Sequence, residues 1–175
     1  MELHPLVGDD EHLRGLRGAP VTLVVYGDYE CPVSARLWRV LRDMRAQQAP
    51  VCEAFRHFPL TGVHPHAFLA ATAAEAAADQ KNFWPMHDLL FEHQDALEPA
   101  DLASDAQALG LDVERFDEDV AYGTFNEVVR AHQRSGVSSG VVTTPTLFAN
   151  GRRLDLPDPE QLPGMLASLD RDPRS

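Results

Sequence analysis

The chain is short of several features, and each shortage closes a class of function. Two cysteines in 175 residues are too few for a disulfide framework. No stretch approaches the ~20 uninterrupted apolar residues of a membrane helix, so no membrane-spanning segment is expected. The opening residues, Met1 to Glu11, have no basic region followed by an apolar run. No secretory leader is read there, and a cytoplasmic, reducing location is the default expectation. Basic residues number 15 against 27 acidic ones, a formal net charge of −12, which argues against nucleic acid as a partner. Gly-rich phosphate loops and the Gly-X-Ser-X-Gly nucleophile context are absent. There is no internal repeat and no linker. The histidines form no i, i+4 pair beside a carboxylate or cysteine set, so no metal site is expected; His64-Pro-His66 reads instead as a capped helix start.

What remains is a chain of single-domain length, 44% hydrophobic and 24% charged, long enough to bury a self-sufficient core. The acidic excess is local. Glu75 to Glu127 holds 14 acidic residues against Lys81 and Arg115, which fits a solvated helical surface. Val21 to Tyr26 is a β-branched, apolar run and reads as a buried strand. After a turn, Leu37, Val40, Leu41 and Met44 form a helical stripe, with Pro32 suited to the first turn. Val51 to Phe58 alternates like a second strand, making a βαβ unit with parallel strands. The following ~75 residues read as helices: Pro65 to Asp79, one capped by Asn82, Asp101 to Leu109, one capped by Asp112, and about Phe125 to Arg134 before Gly136. Thr146 to Ala149, the turn Asn150-Gly151 and Arg152 to Leu154 read as a hairpin, and Pro159 opens a last helix to Leu169. The order predicts a single α/β domain over residues 8–170 with a mixed sheet, a helical insertion over about 64–134, and a polar tail at 171–175.

Cys31 carries the chemistry. It lies beyond the carboxyl end of a parallel strand, where ligands collect, and just ahead of a helix N-terminus, whose dipole and free N–H groups favour a thiolate. Asp28 and Glu30 oppose this if their carboxylates face the sulfur. Cys52 falls near the start of the second strand, four or five residues below the level of Cys31. That is roughly 13–17 Å, too far for a disulfide, so Cys52 reads as structural. Trp38, Phe83 and Trp84 are most simply packing residues.

Five segments in register resemble one family. Val21-Thr-Leu-Val-Val-Tyr-Gly-Asp-Tyr-Glu-Cys-Pro32, Arg56-His-Phe-Pro-Leu60, His64-Pro-His-Ala67, Phe83-Trp-Pro-Met-His-Asp88 and Thr144-Pro-Thr-Leu-Phe-Ala-Asn-Gly151 are similar to the DsbA-like thioredoxin-fold proteins. The resemblance runs from about Gly8 to Leu169. It implies a thioredoxin-like fold with an inserted helical domain and disulfide oxidoreductase ancestry. It also implies Cys31 as the nucleophile, Pro145 as a cis-proline facing it, and a substrate groove at Pro32, Val33, Thr144 and Pro145. The departure is at position 34. The family reads Cys-Pro-X-Cys, and this chain reads Cys31-Pro32-Val33-Ser34. A hydroxyl cannot close the internal disulfide that releases substrate, although it can donate a hydrogen bond to a thiolate. With three residues between them, Cys31 and Ser34 are expected to meet across the first helical turn, Cys31 being at least partly accessible. The leading expectation is therefore monothiol exchange by Cys31 with protein or low-molecular-weight thiols and disulfides. No bound cofactor is expected, and glutathione is a candidate co-substrate. A thioredoxin-fold binding module for a peptide, glutathione or a partner protein stays open. So does a kappa-type glutathione transferase-like activity in which Ser34 assists a bound thiolate.

Overall fold

The computed structural model describes residues 1–8 and 11–169; the tail at 171–175 lies outside the described residues. Its frame is a five-stranded mixed sheet. Strand β1 covers Leu13–Gly15, β2 Val21–Gly27, β3 Val51–His57, β4 Thr146–Ala149 and β5 Arg152–Leu154, in the order β1-β3-β2-β4-β5. β2 and β3 are parallel, from Val21 opposite Val51 to Gly27 opposite His57. The crossover between them is helix α1, Pro32–Ala46. As expected for strands covered on both faces, β2 is buried almost throughout.

Alternation splits the core into two layers. Leu23, Val25 and Phe55 face α1 through Leu37, Trp38 and Leu41. Val24, Tyr26, Ala54 and Phe148 face the other way, against Leu3, Phe58 and Val141. Full burial stabilises each large aliphatic side chain by ~1.5–3 kcal/mol. Gly27 is needed for close approach, since a Cβ there would lie 2.4 Å from the Phe55 ring. The first layer also takes in the helical block: α2 Ala67–Asp79, α3 Phe83–Glu92, α4 Pro99–Ala108, α5 Val113–Tyr122 and α6 Asn126–Ser138. A single turn of 3-10 helix, Pro159–Gln161, and α7, Leu162–Leu169, close the chain. Trp84 and Phe83 pack as expected. Arg14 lies 3.9 Å over the Trp84 ring, and the indole N–H donates to the Leu13 carbonyl.

Three local readings are corrected. Strand β1, antiparallel to β3, is not signalled in the sequence; its three residues are too short for any periodicity. Helix α6 does not stop before Gly136, so the inserted helices end at Ser138 rather than near Arg134. A Cβ at Gly136 would come within 2.6 Å of Phe58 and 3.1 Å of Tyr26. The glycine serves packing, not termination. The start of α2 is not capped by His64 or His66; the His66 N–H is instead taken by Glu30 at 2.7 Å. The expected cap at Asp112 is present, its carboxylate accepting from the Arg115 N–H.

Candidate functional site

Cys31 is the N-cap residue of α1, with φ −79° and ψ 119°, and Pro32 follows in the first turn. Its Sγ donates to the Thr144 carbonyl at 3.4 Å, and the Thr144–Pro145 peptide bond is cis. The βαβ turn and the loop entering β4 thus bring residues 31 and 144 together from 113 positions apart. Val33, Thr144 and Pro145 line one shallow groove of about 180 Å³, together with Thr143, Leu154 and Pro159. Val33 is 43% exposed there. Pro32 is exposed but is not part of that lining.

Two expectations about this site are corrected. Cys31 is only 6% exposed, because the Thr144 carbonyl lies against its sulfur. Ser34 does not bond the sulfur: it is 2% exposed, and among the described residues its hydroxyl has no hydrogen-bond partner. The cause is geometric. The Cys31 side chain turns instead toward the Thr144 carbonyl. Ser34 lies on the buried stripe of α1 with Leu37, Trp38 and Leu41, and all four border a void of about 10 Å³ with Gly27, Phe55 and His87. That is at the lower limit for one water molecule.

The acidic residues before Cys31 are engaged elsewhere. Asp28 accepts from the Glu30 and Leu60 N–H groups at 2.9 and 2.8 Å and meets His64 Nδ1 at 2.8 Å. Glu30 accepts from the His66 backbone and meets its Nδ1 at 3.2 Å. The hydrogen bond to Glu30 raises the His66 pKa from its ordinary value. Gln94, which no sequence signal marked, donates to the Tyr29 and Cys31 carbonyls and pins the turn that carries the cysteine. Beneath it, the Tyr29 hydroxyl lies 3.0 Å from His87 Nδ1. Burial pushes the Tyr29 pKa up and the His87 pKa down, so the two share this hydrogen bond as neutral groups near pH 7. Cys52, opposite Thr22 of β2, is buried, and both cysteines are free.

A cysteine at the start of the crossover helix, set against the residue before a cis-proline on an antiparallel strand, defines a thioredoxin-type protein. The thioredoxin family model matches residues 8–168; the chain belongs to that family. Solved structures with the same fold include BdbD from Bacillus subtilis, with TM-score 0.75 and 24% identity over 91% of both chains. A thioredoxin-like oxidoreductase from Silicibacter pomeroyi has TM-score 0.80 and 19% identity over 94% of this chain and 95% of its own. MdbA, a thiol-disulfide oxidoreductase from Corynebacterium diphtheriae, has TM-score 0.72 and 20% identity over 91% and 90%. Curated relatives carry another name. Na(+)/H(+) antiporter NhaA 3 from Salinispora tropica is 48% identical over 85% of this chain, and the NhaA 1 antiporter from Mycolicibacterium gilvum is 42% identical over 86%. The chain spans about a quarter of the length of these relatives, 23% and 25%. Among the described residues, no helix is long and apolar enough to cross a membrane.

Proposed function

We propose that the protein is a thiol-disulfide oxidoreductase that works through Cys31 alone. The observation that carries this reading is the pairing of Cys31 Sγ with the Thr144 carbonyl beside Pro145, with Ser34 where a second thiol would stand. In the forward step the Cys31 thiolate attacks one sulfur of a substrate disulfide. One S–S bond breaks, a mixed disulfide with Cys31 forms, and the other sulfur leaves as a thiolate that takes up a proton. An external thiol, of the glutathione class, then attacks the sulfur bound to Cys31: a disulfide forms between the two, the bond to Cys31 breaks, and Cys31 leaves as its thiolate. That thiol supplies the reducing electrons. Val33, Thr144 and Pro145 form the groove in which an extended substrate lies, and the exposed Pro32 precedes Val33 in the chain. The cytoplasm, where low-molecular-weight thiols are abundant, is the compartment that suits this cycle, and no tightly bound cofactor enters it. The curated relatives extend the proposal: the same unit works within or beside a sodium/proton antiporter.

Reduction of a glutathione-mixed disulfide, coupled to glutathione turnover, tests the reading on the wild-type chain and on Cys31→Ser. Activity that disappears in the variant is the expected result. Equal activity in both, or none in either, overturns it. A second reading rests on the burial of Cys31, 6% exposed: a groove retained for binding a peptide or glutathione without turnover. Glutathione binding with no mixed-disulfide reduction would select it. Conjugation of glutathione to an electrophile, sensitive to Ser34→Ala, would select the kappa-type transferase instead.

A further inference from the structure

One strand and two helices that share no sequence neighbourhood bring metal-binding side chains together. His57 is the last residue of β3, Glu75 lies in α2 and His132 in α6. One ligand atom from each lies within 4.8 Å of the other two. From this cluster we propose that His57, Glu75 and His132 form a binding site for a divalent transition-metal ion of the zinc class.

The donor set fits. Two imidazoles and a carboxylate, with a fourth position open, are a recurrent environment for such an ion. Bonds of about 2.0–2.2 Å place neighbouring ligands about 3.3–3.5 Å apart around a tetrahedral centre. His57 Nε2 and Glu75 Oε1 are already 2.8 Å apart, so that pair opens slightly, while the widest pair, within 4.8 Å, closes by at most about 1.5 Å. Side-chain rotation covers both changes.

The surroundings also fit. His12 Nε2 lies 2.9 and 3.1 Å from the two Glu75 oxygens, and its ring stacks on Phe83 with centroids 3.5 Å apart. An outer residue that fixes a ligating carboxylate is the usual companion of a metal site. His57 is 1% exposed, yet its Nδ1 has no partner, and His132 Nδ1 receives only a 3.3 Å contact from the His57 N–H. At the His132 ring the ion competes with that one long hydrogen bond; at His57 it replaces the proton shared with Glu75, which is released to solvent. An entry path exists. Glu75, His132 and His12 line an open cleft of about 670 Å³, with Glu11 and Asp79 among the other walls. The sequence concealed the site, because metal motifs are recognised by local spacing and these ligands are 18 and 57 positions apart. The proposal is independent of the Cys31 chemistry.

The test uses the full chain with Cys31→Ser and Cys52→Ser, so that no thiolate takes the metal. Co²⁺ binding is followed by its ligand-field absorption, and Zn²⁺ binding by competition with a chromophoric chelator. One equivalent of each is expected, with a rise in Tm on Zn²⁺ addition. Glu75→Gln and His132→Ala should each weaken binding at least tenfold, while His93→Ala, remote and paired with Asp105, should leave it unchanged. His132 borders the cleft, so its alanine variant decides the matter even if Glu75→Gln does not fold. Less than half an equivalent bound, or binding unchanged in His132→Ala, would overturn the proposal.

Discussion

Removing the Ser34 hydroxyl should stabilise the protein, which is the reverse of what its place in the Cys-Pro-X-Ser motif suggests. The hydroxyl is buried and unpartnered, beside a void of about 10 Å³. Leaving a buried polar group unsatisfied costs about 1–3 kcal/mol, and alanine adds a few tenths of a kcal/mol of helix propensity over serine. Ser34→Ala should therefore gain about 1 kcal/mol or more. For a domain of this size the corresponding rise in Tm is about 2–4 °C per kcal/mol. Urea unfolding should show a higher midpoint with an unchanged slope. The pH profile of Cys31 alkylation, measured in a Cys52→Ala background, should not move, because the sulfur faces the Thr144 carbonyl and not Ser34. A loss of about 1 kcal/mol, together with an upward shift of the alkylation inflection, would refute this reasoning. It would mean that the hydroxyl bonds the sulfur after all.

Acid should destabilise the fold well above the carboxylate range. Burial holds His132 down to about 3 and His87 well below its ordinary value, so protons bind the unfolded chain more readily than the native one. Their contribution is full above about pH 6.5 and falls as the pH drops toward the folded values, by on the order of 1–3 kcal/mol. Urea titrations from pH 7 to 4.5 in the presence of a chelator check this, and a flat midpoint would contradict it. Ser34→Cys should let an internal disulfide form with Cys31 and bring back dithiol exchange, since the scaffold around the motif is intact. The wild-type chain, oxidised and analysed by mass spectrometry, should show no Cys31–Cys52 bond. Gly136→Ala should cost about 1–3 kcal/mol through overpacking against Phe58 and Tyr26, read as a lower urea midpoint. A neutral or stabilising result would show that α6 can shift away from the sheet.

The elements that a sequence can show are those that repeat a pattern along themselves. The run Val21 to Tyr26, the α1 stripe and the Asn150-Gly151 turn each carry their own periodicity or turn chemistry, and each is found where it is expected. Strand β1 has only three residues and exists because β3 offers it an edge. Gly136 reads locally as a helix stop, and only the aromatic rings brought over it by β2 and by the residue after β3 give it another purpose. Propensity speaks for one segment at a time, and these features belong to two.

The same distinction runs through the site. The nearness of Cys31 to Thr144 and Pro145 followed from the family resemblance, as did the missing second thiol, whereas Pro32 lies outside the groove lining it was expected to share. The placing of Ser34 was legible too, but from a different rule from the one applied. Spacing of three puts Cys31 and Ser34 on the same first turn but does not say which way either side chain faces, and the sulfur faces the Thr144 carbonyl. Ser34 with Leu37, Trp38 and Leu41 follows i, i+3, i+4, i+7, the signature of a buried stripe, and burial is where the structure puts it. Nothing local indicates that Gln94 clamps the Cys31 turn, that Glu30 turns to the N-terminus of α2, or that Glu75 meets His57. Those contacts join a loop or strand end to a distant helix, and their partners are selected by packing. A polar residue buried by its neighbours must find its hydrogen bonds there, so the polar network around Cys31 follows from the core that surrounds it, and its geometry becomes readable only once that core is assembled.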